Sequence, residues 1–170
     1  VLRDAVISED GLYRYSLTRQ WGESNVGPLF IMLNPSKADA DVDDPTVRKC
    51  IGFAQRWGYD AMRVVNLFAF RATEPDELIG ARDARGPLNA EVVRGEISIA
   101  AFRDVPIVAA WGGWWSARQR GPYWRGLPRI NVERTVQDFG GRPLCLGVTN
   151  DGSPRHPCRL PYSTPLVPWP

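Results

Sequence analysis

The chain has 170 residues, of which 44% are hydrophobic and 24% charged, with a formal net charge of +2. That balance is typical of a water-soluble globular domain with a real core, and no apolar run approaches the roughly 18 residues of a membrane span. It excludes a disordered or fibrous chain, and the small net charge alone names no partner.

No signal peptide is visible, and the three cysteines, Cys50, Cys145 and Cys158, form no C-x-x-C pair. We read them as reduced thiols of a cytoplasmic protein, neither a disulfide frame nor a zinc site. The charge is unevenly placed. Residues 105–170 hold 8 basic and 3 acidic side chains, and Lys37 and Lys49 are the only lysines of the whole chain. Arginine is the better fork for phosphate, although a coding bias would produce the same preference.

In chain order, Asp4–Ile7 and Gly11–Trp21 are expected to pair as an opening hairpin turned at Glu9-Asp10-Gly11. Leu29-Phe30-Ile31-Met32-Leu33 is a short apolar run without alternation, the habit of a parallel strand covered on both faces. It stops at Asn34-Pro35-Ser36 and an acidic loop, and Asp44-Pro45 then reads as a helix start, an Asp cap followed by Pro at the first position. Val47, Cys50, Ile51, Ala54 and Trp57 share one helix face, and Gly58 ends it. Arg63–Phe68 holds a second strand whose apolar run ends at Asn66, followed by an irregular loop with Arg71 and one turn of helix at Asp76–Leu78. Pro87 opens a second crossover helix with Val93, Ile97, Ala100 and Ala101 on one face, and Val105–Ala110 is a third strand. Ile130, Val136 and Phe139 mark a weaker helix, Pro143–Val148 a fourth strand, and the proline-rich end an extended tail.

The expected fold is α/β, a three-layer α/β/α sandwich around a mostly parallel four-stranded sheet with an N-terminal hairpin. The whole chain, 1–170, is expected to be a single domain, divided into hairpin 1–28, core 29–157 and tail 158–170. Its value for function lies in where the polar residues fall. Asn34, Asn66, Gly112 and His156, the only histidine, each follow the C-terminal end of a different predicted strand, the edge at which open α/β sheets bind ligands. Between Trp111 and Ile130 lie four arginines (Arg118, Arg120, Arg125, Arg129), no acid, and the aromatics Trp114, Trp115, Tyr123 and Trp124. Such interleaving suits a nucleic-acid backbone with stacked bases, and equally a helix–sheet seam.

Asp39, Asp41, Asp43 and Asp44 could ligate Mg²⁺, but their spacing lacks the Gly and terminal Glu of a calcium loop, and we expect no metal and no cofactor. There is no G-x-S-x-G, G-x-x-x-x-G-K-[ST] or G-x-G-x-x-G.

The order MLNPS, DDPT, CIGFAQRWGY, VVNLFAFRAT, AAWG and CLGVTNDGSPRHP resembles the domain-of-unknown-function family 1643 of bacteria and phages, over nearly the whole chain after Leu29. Met32-Leu33-Asn34-Pro35-Ser36 also looks like the Gly-Ile-Asn-Pro-Gly motif of the mismatch-specific branch of the uracil-DNA glycosylase superfamily. Asn66 is similar in place to the base-reading Asn of that branch, and Pro154-Arg155-His156-Pro157 to its His-Pro-Ser loop. This second resemblance implies a base-binding pocket and an N-glycosidic hydrolase acting on nucleic acid or a nucleoside. It implies that Asn34 holds the water with Asp39, Asp43 or Asp44 to activate it, and that Asn66 reads the base while His156 assists its departure. Pro35, Ser36, Arg71, Trp111, Gly112, Thr149 and Arg155 would complete the binding set, Phe68 or Phe70 would stack on an extruded base, and Trp114, Trp115, Arg118, Arg120 and Arg125 would hold the strand. Met32 and Ser36 replace the two motif glycines and Cys158 a serine. The rival expectation is a non-catalytic nucleic-acid or nucleotide-binding module of the same fold.

Overall fold

The structure is a computed structural model that describes residues 2–114 and 131–170. Seven strands form one sheet in the order β1-β2-β4-β3-β5-β6-β7. They are β1 (Leu2–Ile7), β2 (Arg14–Gln20), β3 (Leu29–Met32), β4 (Ala61–Asn66), β5 (Ile107–Ala109), β6 (Leu144–Cys145) and β7 (Val167–Pro168). Among the described residues the helices are α1 (Pro45–Arg56), α2 (Asn89–Phe102) and α3 (Val132–Asp138), with 3-10 turns at Pro75–Ile79 and Pro157–Arg159. No helix among the described residues is long and apolar enough to cross a membrane.

The sheet is mixed and larger than the four strands expected. β4, β3, β5 and β6 run parallel in its middle, with Phe30 opposite both Val64 and Val108, and Val108 opposite Leu144. Both edges of that block are covered. The hairpin is part of the sheet, because β2 pairs antiparallel with β4 from Leu17↔Val64 to Gln20↔Ala61. At the other edge β7 pairs antiparallel with β6, Cys145 opposite Val167, so the end of the chain closes the sheet where an extended tail was expected. Unpaired backbone groups at an edge strand invite association, which explains why a proline-rich segment is used there.

Alternate side chains of β3 enter two different apolar layers. Leu29 and Ile31 pack with Val93, Ile97 and Ala100 of α2 and Val132 and Val136 of α3. Phe30 and Met32 pack with Val47, Cys50, Phe53 and Ala54 of α1. Helices therefore cover both faces, and this is why β3 reads as a continuous apolar run. The parallel strands end earlier than expected, β3 at Met32, β4 at Asn66, β5 at Ala109 and β6 at Cys145, whereas β1 and β4 begin two residues earlier than expected. Gly147, at φ +89°, turns the chain out of β6 into a conformation that favours glycine.

Local chemistry fixes α1 where the site needs it. The Asp44 carboxylate Oδ1 accepts the Val47 N–H at 2.8 Å, Pro45 follows as the first helical residue, and Gly58 at φ +82° ends the helix after Trp57. The acidic loop ahead of it is tied down by Arg19 of β2, which is only 2% exposed. Its Nε donates to Asp43 Oδ1 at 2.7 Å, and its Nη2 donates to the Asp39 carbonyl. At the other end of α1, Tyr162 of the tail lies between Lys49 and Arg56, each 3.9 Å from its ring centre, so these two cations cover an aromatic ring where a plain solvated face was expected.

Candidate functional site

The chain leaves β3 through α1 to β4 on one side and returns through α2 to β5 on the other. This reversal of direction opens a crevice at the carboxyl ends of the strands. A cavity of about 290 Å³ lies there. β3 and the turn after it supply Met32, Leu33, Asn34 and Ser36, and β4 supplies Val64 and Asn66. The segment after β5 gives Trp111, Gly112, Gly113 and Trp114, and the start of α1 gives Asp44, Thr46, Val47 and Cys50. Arg14, Pro75 and His156 complete the wall.

Asn66, the last residue of β4, is fully buried, and neither its Oδ1 nor its Nδ2 has a hydrogen-bond partner among the described residues. A buried amide left unpaired carries a free-energy penalty of about 1–3 kcal/mol, so native proteins keep one where something else binds it. The contrast with Asn89 is instructive. That residue is also fully buried and its Oδ1 too lacks a partner among the described residues, but its Nδ2 donates to the carbonyls of Asn66 at 2.9 Å and Leu67 at 3.2 Å, tying α2 to the end of β4.

Asn34 is held by its amide nitrogen, which donates to the Ala72 carbonyl at 2.9 Å and the Pro35 carbonyl at 3.1 Å. With Nδ2 committed, Oδ1 is the atom left to accept from a ligand or water. Asp44 uses Oδ1 as the α1 cap, which leaves Oδ2. His156 caps the 3-10 turn after it, its Nδ1 accepting the Cys158 N–H at 3.3 Å. In the neutral ring the proton therefore sits on Nε2. Burial lowers the His156 pKa, opposed by the Asp44 charge, so the neutral donor form is favoured. Gly112 at φ +76° lets the histidine loop come close. A Cβ there would lie 3.3 Å from the His156 Cβ, and the Gly112 N–H donates to the Pro154 carbonyl at 2.9 Å.

Arg14 is the residue that the sequence did not single out. It is 3% exposed, its Nη1 donates to the Ala38 carbonyl at 2.7 Å, and its Nε has no partner. Among the described residues it makes no ion pair. Burial draws its pKa down to about 10, with Asp44 opposing. The available signal was an arginine set between two aromatic residues, Tyr13 and Tyr15, in the stretch expected to form the second strand.

Several expected site residues have other work. Phe68 is 1% exposed within the core layer beneath α2, and Phe70 packs edge-on to Tyr13, so neither lines the cavity. Asp39 accepts the N–H groups of Asp41 and Val42, both at 2.9 Å, as the brace of a tight turn, and those bonds lower its pKa. Asp43 is paired with Arg19 and with Arg3 at 3.2 Å. Of the four loop carboxylates only Asp44 reaches the cavity, and among the described residues no three Asp, Glu, His or Cys side chains gather for a metal. Pro35 offers its carbonyl to the Ala72 N–H at 2.9 Å, and Arg71 donates to the Gly11 carbonyl at 3.3 Å. Thr149 braces the turn to Ser153, and Arg155 is exposed, its backbone N–H donating to Gly147. None of these four lines the cavity. Trp114, expected to touch nucleic acid, is part of the cavity wall, and its indole N–H donates to Asp76 Oδ1 at 3.0 Å. Trp115, Arg118, Arg120 and Arg125 lie outside the described residues.

The model of a family described as protein of unknown function (DUF1643) matches residues 14–158. No curated protein and no solved structure matches the chain.

Proposed function

We propose that this chain, which belongs to the DUF1643 family, hydrolyses the N-glycosidic bond of a modified base in nucleic acid or a nucleoside. The observation that carries the reading is Asn66, a fully buried amide with both atoms unpartnered on the wall of a cavity at the strand ends. One donor and one acceptor side by side pair with the edge of a heterocycle, and they discriminate sharply because an unmatched ligand leaves them unpaired. The cavity is at the small end of ligand sites, suited to a base and not to a dinucleotide. Trp111 and Trp114 provide aromatic surface beside it.

In this mechanism Asn34 Oδ1 and Asp44 Oδ2 hold one water. Its oxygen attacks the anomeric carbon, its proton passes to Asp44, and the carbon–nitrogen bond breaks with the electron pair leaving on the base. His156 Nε2–H donates a hydrogen bond to the base as negative charge develops, a donor already oriented by its Nδ1 bond to Cys158. The order of Asn34, Asn66 and His156 along the chain is that of the resembling uracil-DNA glycosylase motifs. Met32 and Ser36, where those motifs carry glycine, favour the second reading, a binding module without turnover.

Asn34→Ala and His156→Ala separate the two. For an enzyme each variant loses about 10²–10³-fold in turnover on the oligonucleotide substrate while binding changes only severalfold. Binding by the wild type with no base released would establish the module instead.

A further inference from the structure

Arg14 brings a positive charge into the cavity that no ion pair among the described residues neutralises. It lies at the start of β2, where its backbone N–H donates to the Ala69 carbonyl at 2.9 Å, three residues past Asn66. Of its three guanidinium nitrogens only Nη1 is bonded, to a neutral carbonyl, and Nε is buried without a partner. Asp44 is the carboxylate of the described wall, and its charge favours the guanidinium, yet it makes no ion pair with Arg14 and spends one oxygen capping α1. A desolvated guanidinium with unused donors is costly unless a negative oxygen meets it, and its planar fork suits such an oxygen better than an ammonium would.

Among the described residues of the wall, the other side chain with buried polar atoms left unpartnered is Asn66. The two make different demands, a donor–acceptor edge at the amide and an anionic oxygen at the guanidinium. A planar heterocycle that has lost a ring proton satisfies both at once, because the charge spreads onto its exocyclic oxygen. We infer that Arg14 is a ligand-binding residue and that the cavity takes an acidic heterocycle bound as its anion, seated between the Arg14 guanidinium and the Asn66 amide. The inference rests on the base-binding reading but not on turnover. In a hydrolase the same contact would receive the charge on the departing base.

The test is equilibrium binding of free heterocycles that have no glycosidic bond, read by quenching of tryptophan fluorescence, since Trp111 and Trp114 line the cavity. Two matched pairs serve as probes at neutral pH: uracil, which is neutral, against 5-nitrouracil, which is ionised; and hypoxanthine, which is neutral, against xanthine, which is partly ionised. At least one ionised member should bind about tenfold or more tightly than its neutral partner, and Arg14→Gln should bring the two within about twofold. Arg14→Lys should restore part of the preference, and the wild-type comparison stands even if Arg14→Gln does not fold. Equal affinity within both pairs overturns the inference, as does failure of all four to bind. So does saturable binding of inorganic phosphate without heterocycle binding, which would give the charge to a phosphate. Base release can fail in the hydrolysis assay while this preference holds, so the two claims fall separately.

Discussion

Replacing Asn66 by leucine should make the free protein more stable while destroying its site. Leucine has the shape of asparagine with methyl groups in place of the amide oxygen and nitrogen. In the folded chain those two atoms are buried and unpartnered among the described residues, so the amide retains an unrepaid desolvation penalty of about 3 kcal/mol, the upper end of the range for one buried polar group. The substitution removes that penalty, leaves the backbone pairing of Asn66 with Met32 intact, and gives back about 1 kcal/mol to imperfect packing. The net expectation is a gain of about 2 kcal/mol, or a rise of roughly 4–8 °C in Tm for a chain of this size. Asn89→Leu is the matched control. It removes two bonds to the buried carbonyls of Asn66 and Leu67, a loss partly offset because the unpartnered Asn89 Oδ1 goes with them, and should lower stability by about 1 kcal/mol. Urea unfolding with the two variants side by side reads both signs, and a midpoint that moves without a change of slope isolates the stability term. If Asn66→Leu falls in parallel with Asn89→Leu, the Asn66 amide has partners within the folded protein and the argument for a ligand there fails.

His156 should set the acid limb of the proposed hydrolysis. Its pKa is lowered by burial and the neutral Nε2–H form is the donor, so turnover should fall only below the ordinary histidine value of 6.5. Stability should decline as pH falls from about 6.5 toward the lowered folded value, because in that window the unfolded chain binds the proton and the folded one does not; His156→Gln should remove this slope in urea titrations. Gly27→Ala should destabilise by about 3 kcal/mol, since a Cβ there would lie 1.7 Å from the Ala61 carbonyl oxygen at the start of β4, and calorimetry would show a Tm lower by about 6–12 °C. Arg19→Met should cost about 3 kcal/mol and release the 39–43 loop to proteolysis, because Asp43 loses its buried partner and keeps only the exposed Arg3; unchanged protease resistance would mean that Arg19 does not anchor the loop.

The parts of the fold legible in the sequence are those that one local rule decides. Asp44-Pro45 and Gly58 bound α1 through a side-chain cap, a fixed φ and a left-handed stop, all local chemistry. β3 reads as doubly covered because all four of its residues are buried. Partnering between distant strands leaves no such mark. Nothing local in Leu17 or Val167 specifies that one pairs with Val64 and the other with Cys145, so the sheet reads as four strands instead of seven. The site divides in the same way. Asn34, Asn66, Gly112 and His156 were found by their place at strand ends, and all four line one cavity. Thr149 and Arg155, chosen on the same loop as His156, serve that loop's own turn, and Phe68, next but one to Asn66, points to the core layer. Arg14 comes from a strand nowhere near the others in sequence, and only its pairing alongside β4 brings it to the wall.

The most direct test of the central claim is hydrolysis in ¹⁸O-labelled water. The purified protein is incubated with DNA and RNA oligonucleotides and nucleosides that carry uracil, hypoxanthine, hydroxymethylated and other modified bases, and the products are weighed by mass spectrometry. The account predicts an unlabelled free base from at least one substrate, a labelled oxygen on the sugar left behind, and loss of both products with Asn34→Ala. Bound but intact substrate across the whole panel would contradict hydrolysis and leave the cavity as a binding site.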